Sequence, residues 1–258
     1  MTPEELRDLY DRDQRIHFRE PGVRPEVTPF TIRQINENEP DSFLLYSKLN
    51  ADNVDQVISD EIAYFEGIGH SFEWKVFSHD DPPDLVERLA AHGFETGEQE
   101  TILVLDMANL SGALTQPLAH DIRRVTATAG IKPLLEVQAE VWNDDYTGHL
   151  ERLTWELENH PETISLYGAY VEGKLVASAW MRCTPESQFA SLWGGSTLEG
   201  YRGRGVYTAL VAARVQEAAS RGRRFLTIDA SDMSRPIVEK LGFVAICTST
   251  PCKWQLSH

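Results

Sequence analysis

The run Tyr201-Arg202-Gly203-Arg204-Gly205-Val206-Tyr207 stands between a strand-like stretch, Ala190 to Leu198, and a stretch with helical periodicity, Val206 to Arg221. Glycine at 203 and 205 lets the backbone approach a bulky anion, because no Cβ intervenes. The first-turn N–H groups of the following helix supply donors and a partial positive charge. Strand, glycine-rich turn and helix in that order make a cradle for a pyrophosphate. Val206, Ala209, Leu210 and Ala213 fall at i, i+3, i+4 and i+7, so the helix buries one face while its first turn stays free. Arg/Gly runs also contact RNA, but those are repetitive, and this one is single and leads into a regular helix.

Charge agrees with an anion site of small extent. The chain of 258 residues carries 24 Lys and Arg against 40 Asp and Glu, a net −16. That balance argues against nucleic acid or an anionic membrane as a partner, since both need a positive footprint. Residues 201–258 hold nine bases and four acids, and the remainder 15 bases and 36 acids. A basic island in an acidic chain suits a small polyanion. Cys183, Cys247 and Cys252 form no CxxC pair and the eight histidines are scattered, so neither a disulfide framework nor a metal site is expected. No apolar run approaches the roughly 20 residues of a bilayer span and the N-terminus lacks a signal pattern, so a reduced cytoplasm is the expected location.

Along the chain, a charged helix is expected over residues 3–18, with Thr2 as N-cap and Pro3 at its first position. A Pro- and Gly-containing stretch, Pro21 to Pro29, separates it from strands at Phe30–Ile35 and Ser42–Leu49. A helix from about Asp52 to Glu66, a strand around Trp74, a short helix ending at His92-Gly93 and a strand at Thr101–Leu105 follow. Asn109 to Ala119, rich in Ser, Gly and Pro, reads as a linker. Beyond it come a strand at Ile122–Val125, helices at Ile131–Trp142 and Leu150–Glu158, and a hairpin across Glu172-Gly173-Lys174. The strand Phe225–Ala230, the helix Ser234–Leu241 and the strand Val244–Thr250 close the chain. Trp74 to Phe94 echoes Leu226 to Phe243: strand, Asp-containing turn, helix, Gly-Phe. The echo points to a duplicated architecture.

Arg202 and Gly205, the strand before them and the ending Glu239-Lys240-Leu241-Gly242-Phe243 resemble motif A and the last helix of the GNAT (Gcn5-related) N-acetyltransferases over about residues 119–258. Tyr207 stands where that motif normally has a small residue. The resemblance implies an α+β fold, a mixed central β-sheet flanked by helices, with a GNAT domain at 119–258. A smaller, degenerate GNAT-like domain is expected at 1–110, because Leu49-Asn50-Ala51 before its corresponding helix has no glycine. It implies acetyl-CoA as cofactor, held by main-chain N–H groups of Arg202, Gly203, Arg204, Gly205, Val206 and Tyr207, with Ser196, Thr197 and Leu198 pairing with the pantetheine arm like an added strand. The implied activity is acetyl transfer to the primary amine of a small molecule or peptide, directly in a ternary complex, since no serine or cysteine is placed for an acyl-enzyme.

Two proton transfers then need residues. An amine with a pKa of about 10.4 is neutral about once in 2,500 molecules at pH 7, so a base or a water chain to one is expected. Many relatives supply the acid for the leaving thiolate from a tyrosine four residues before the Gly-Phe glycine. Val238 stands there, so Ser231, Ser234 and Tyr207 are the substitutes. Some relatives carry a glutamate where this chain has Ser191, with Trp193 projecting to the same face by period two. Glu140, Asp144, Asp145, Tyr146 and His149 are the remaining candidates near the acceptor, in a segment that otherwise reads as a solvated acidic loop. The missing acid and base motivate a second reading: a non-catalytic CoA-binding or protein-interaction module of the same fold. Acceptor identity, acyl length and oligomeric state are not legible in the sequence.

Overall fold

Helix initiation follows from the first five residues. The Thr2 hydroxyl accepts from the Glu5 N–H, the Glu5 carboxylate accepts from the Thr2 N–H at 2.8 Å, and Pro3 opens the first turn of α1 (Pro3–Tyr10). The helix expected to reach residue 18 instead widens into a π-type turn at Asp11–Ile16. There the buried Arg15 pairs with Asp11 at 3.1 Å and Asp80 at 2.5 Å, partners that a buried cation requires.

The computed structural model describes residues 1–110, 112–143 and 146–256, which form two packed units. The first comprises Met1–Ile102, Ala230–Asp232 and Ala245–His258, the second Leu103–Asp229 and Met233–Val244. In chain order the elements after α1 are β1 (Val23–Val27), β2 (Thr31–Asn36), β3 (Asp41–Ser47), α2 (Val54–Ile68), β4 (Ser71–Phe77), α3 (Leu85–Ala91), β5 (Glu95–Thr96) and β6 (Glu100–Asp106). Then come α4 (Gly112–Thr115), β7 (Asp121–Val125), α5 (Ile131–Trp142), α6 (Thr147–Asn159), β8 (Ile164–Val171), β9 (Lys174–Arg182), β10 (Phe189–Thr197), α7 (Val206–Ser220), β11 (Phe225–Ala230), α8 (Arg235–Lys240) and β12 (Val244–Trp254).

In the first unit the strand order is β1-β2-β3-β4-β12, with β5 on β12. Antiparallel β2 and β3 lead through α2 to β4, which lies parallel to β3. Strand β1 falls in the stretch expected to be irregular. It is an edge strand, where Pro25 costs no interior ladder bond. Ile35, Leu44, Ile58, Phe65, Phe72 and Trp74 build this unit's core together with Cys252 of β12.

The second unit repeats the plan in the order β11-β10-β9-β8-β7. Antiparallel β9 and β10 lead through α7 to β11, parallel to β10. Val206, Leu210 and Ala213 of α7 pack on Tyr167, Ala169, Val176, Ala177 and Ala179 of β8 and β9. Each unit therefore holds one parallel pair joined by a helix, then a short helix and a left-handed glycine before phenylalanine: Gly93 (φ 89°) and Gly242 (φ 103°). The partition differs from a split at residues 110 and 119. Strand β12 packs in the first unit, and Leu103–Asp106 in the second, where Met107 N–H bonds Arg224 O at 3.0 Å. The segment expected as a linker carries α4, whose Leu114 is fully buried and whose carbonyl accepts from Gln216 of α7 at 3.0 Å.

Candidate active site

Between β10 and α7 the chain turns through Gly203 (φ 71°) and Gly205 (φ 79°), both in the left-handed region that side-chain-bearing residues avoid. A Cβ at Gly203 would meet nothing within 4 Å, and one at Gly205 only the His120 ring nitrogen at 3.6 Å. Gly205 is the N-cap of α7, with no side chain bonded to the first-turn N–H groups. That leaves donors and dipole facing solvent beside the His120 ring, which bonds Arg204 O at 2.9 Å. Arg202, Gly203, Arg204 and Gly205 are exposed. Arg204 and Lys174 lie over the Tyr201 ring at 5.2 and 5.6 Å, which gathers cations at the cradle. The Arg202 guanidinium reaches back to Thr197 O at 3.1 Å.

The turn before the matching helix start of the first unit is built on asparagines instead of glycines. The Asn50 N–H donates to the Asn53 side chain at 2.8 Å, and the Asn50 side chain accepts from the N–H of Asp52 at 2.9 Å and of Asn53 at 3.1 Å. Asparagine side chains thus take N–H groups of the turn itself, which has no glycine, while the first turn of α2, like that of α7, has no side-chain cap.

Strand β10 follows β11 only from Phe189↔Phe225 to Leu192↔Ile228 among the described pairings, while on its other side it stays with β9 as far as Thr197↔Ala177. Its register on β9 shifts between Trp193 and Ser196, a bulge centred on Gly194 (φ 59°) and Gly195. Both glycines are required. A Cβ at Gly194 would strike the Trp180 ring at 2.1 Å, and one at Gly195 would meet the Tyr207 ring at 2.8 Å. The large residue at the motif's normally small position thus occupies room left by Gly195, and consecutive glycines inside a strand were the sequence signal for it.

The bulge is clamped from both faces. Gln138 of α5 donates to Gly194 O and to the Ser178 hydroxyl (2.8 Å), and accepts from Ser196 Oγ at 2.8 Å, which in turn accepts from Trp142 Nε1 at 2.8 Å. Arg214 of α7 donates to Trp180 O at 3.1 Å and Trp193 O at 3.3 Å, two carbonyls beside the irregularity.

Of the residues expected to act, the structure brings Tyr207 and Ser234 together through a side-chain hydrogen bond. Burial pushes the Tyr207 phenol up, while the Arg214 charge and the Ser234 hydroxyl oppose that rise. Ser231 belongs to the other unit. The Ser196 side chain is committed to Gln138 and Trp142, and the Leu198 N–H to Val176 O at 2.9 Å. By strand alternation the Thr197 backbone is the one turned to the parted edge. Trp193 is exposed, its indole bonded to Ser191 Oγ at 2.8 Å on the shared face. Glu140 is exposed on α5. Tyr146 lies edge-on to His149 at 5.2 Å, and His149 lies 6.4 Å from Trp180. Asp144 and Asp145 lie outside the described residues. Sequence reasoning missed Gln138, Trp142 and Arg214. A lone buried-face Gln was a faint signal, whereas Arg214 reads from sequence as an ordinary helix cation.

A mixed sheet parted beside a bulged strand, with a glycine cradle opening the helix between the parted strands, defines the GNAT class of fold. Residues 131–243 match the acetyltransferase (GNAT) family. A GCN5-related N-acetyltransferase from Kribbella flavida is similar over 99% of this chain and 96% of that one, at TM-score 0.71 and 13% identity. A functionally unknown conserved protein from Staphylococcus epidermidis matches over 98% of both chains, at TM-score 0.66 and 13% identity. A tandem GNAT protein from the clavulanic acid biosynthesis pathway matches over 94% of this chain and 86% of that one, at TM-score 0.54 and 13% identity. No curated protein matches the chain.

Proposed function

We propose that the second unit is an acetyl-CoA-dependent N-acetyltransferase that acts on a primary amine in a ternary complex. The observation that carries this reading is the continuity from the open cradle at Gly203 and Gly205, along the parted edge of β10, to the bulge where Tyr207 rests. Backbone N–H groups of Gly203 to Tyr207 with Arg204 and Lys174 suit a pyrophosphate, and the Thr197 edge, whose carbonyl already accepts from Arg202, offers its N–H to an extended arm. When bound, acetyl-CoA supplies an activated thioester and a thiolate leaving group.

The chain's own residues then divide the work. Tyr207 Oη, supported by Ser234, holds a proton at the parted edge for the departing sulfur. Trp193, Trp142, Tyr146 and His149 wall the α5 and α6 side, where the acceptor enters. His149 is the described candidate there for receiving the amine proton, directly or through water, with the exposed Glu140 of α5 as the alternative. The acidic bulk of the chain favours a cationic acceptor by steering.

Titration calorimetry is expected to find one CoA per chain, because the turn before the other helix start has asparagines bonded to its own N–H groups where the cradle has glycines. Gly205→Glu is expected to weaken CoA binding at least about tenfold with the fold intact, since it adds bulk and negative charge at the cradle. Wild-type affinity in the folded variant overturns the cofactor site. Acceptor-dependent thiol release from acetyl-CoA over an amine panel supports transfer. Tight CoA binding with no turnover favours a non-catalytic module instead.

A further inference from the structure

Arg214 sits on the third turn of α7 with its side chain wholly buried, and among the described residues no carboxylate pairs with it. Nε donates to Leu210 O at 3.1 Å and Nη1 to Trp180 O and Trp193 O, whereas Nη2 is shielded from solvent without a hydrogen-bond partner. Two free carbonyls at a bulge need donors, not a charge. On the opposite face the neutral Gln138 amide serves Gly194 O. Burying a cation with no counter-charge is costly, and the cost is recovered where a negative charge forms beside it. The group so placed is Tyr207, two turns earlier on the same helix face. The bond from Nε to Leu210 O lays the guanidinium back toward that end of α7. The Tyr207 ring lies on Gly195, two residues beyond the carbonyl that Arg214 holds.

We propose that Arg214 is the positioning residue that makes Tyr207 a proton donor: it fixes the bulge beneath the phenol and carries the charge against which the phenolate forms. This rests on the acetyltransferase reading above. As the acceptor nitrogen bonds to the acyl carbon, the C–S bond breaks and its electron pair goes to sulfur. Sulfur takes the Tyr207 proton, the nitrogen releases one proton to solvent, and the phenolate regains one from solvent. Burial lowers Arg214 to about 10, and Tyr207 opposes that fall; reciprocally, Arg214 and Ser234 are the groups that pull against the burial-raised Tyr207 phenol.

Arg214→Gln keeps amide donors and removes the charge. Ultraviolet difference titration of protein with and without Tyr207→Phe isolates this phenol among the eight tyrosines. In Arg214→Gln the Tyr207 midpoint is expected to rise by about one unit or more, with CoA affinity unchanged and kcat for thiol release reduced by about tenfold or more. Arg214→Lys, which retains charge, is expected to leave the midpoint near wild type. A folded glutamine variant with an unmoved midpoint overturns the pairing, and a moved midpoint with unchanged kcat overturns the proton-donor role. Should the glutamine variant fail to fold, the lysine variant decides: a rise of about one unit there excludes charge as the agent. The titration is read without substrate, so it tests the pair even if the wild type releases no thiol with any amine, a result that would overturn the acetyltransferase reading instead.

Discussion

On the proposed reading, Tyr207 supplies the phenol that Val238 cannot. Val238 is fully buried, and its N–H bonds Ser234 O at 3.2 Å, one turn from the hydroxyl partner of Tyr207. The Tyr207 ring of α7 lies against Gly195, where any side chain would crowd it. Val238→Tyr alone is expected to overpack this corner and cost ~1–3 kcal/mol. Tyr207→Ala with Val238→Tyr relieves the crowding, so the double variant is expected to be more stable than the sum of the single changes and more active than Tyr207→Ala. Thermal unfolding and thiol release measure both. A double variant no more stable than the sum would show that the two rings do not compete for one space. The left-handed turn at Gly203 and Gly205 and the valine at 238 were legible in the sequence, because they are local features. Arg214 was not, because its burial is decided by two carbonyls from strands distant in sequence.

Helix α6 illustrates how an element packed on α5 is held in place. Leu153 and Leu157 supply its apolar face against α5 and β8, and Glu156, 3% exposed, supplies its polar anchor. Arg182 of β9 approaches that carboxylate at 2.7 Å and Arg152 at 3.0 Å. Burial alone would push the Glu156 carboxyl up, but the two guanidinium groups outweigh it and hold it below its usual range. A carboxyl depressed in the folded state contributes stability that is complete above the unfolded-state pKa and is lost as pH falls through the folded value. Denaturant unfolding is therefore expected to show stability declining on acidification below about pH 4.5, with Glu156→Gln flattening that limb. Arg182→Met is expected to cost more at neutral pH, about 1–3 kcal/mol, because it removes two charge-assisted hydrogen bonds and leaves the buried carboxylate to Arg152 alone. An acid limb unaltered in Glu156→Gln would assign the decline to other groups. Amphipathic periodicity made α6 legible, while its ion pair depends on strand register that no local pattern fixes.

The duplicated plan was partly readable in the whole molecule, because strand, helix and Gly-Phe recur locally in both halves. The exchange of closing strands was not, since partner choice for a strand is a long-range outcome and neighbours in sequence are the ordinary expectation. Strand β12 pairs antiparallel with β4 from Ser249↔Phe77 to Trp254↔Phe72, and its fully buried Cys252 lies in the core with Phe72 and Trp74. Residues 1–110 alone lack this strand. They would present the β4 edge and part of that core to water, exposing both unpaired backbone groups and apolar surface. A fragment of residues 1–110 is accordingly expected to unfold without cooperativity or to aggregate. The same fragment fused through a flexible linker to residues 244–258 is expected to regain a cooperative transition. Thermal melts followed by circular dichroism decide the matter. A cooperative melt of 1–110 by itself would show that the N-terminal core closes without the borrowed strand, and that its membership in the first unit adds pairing but not foldability.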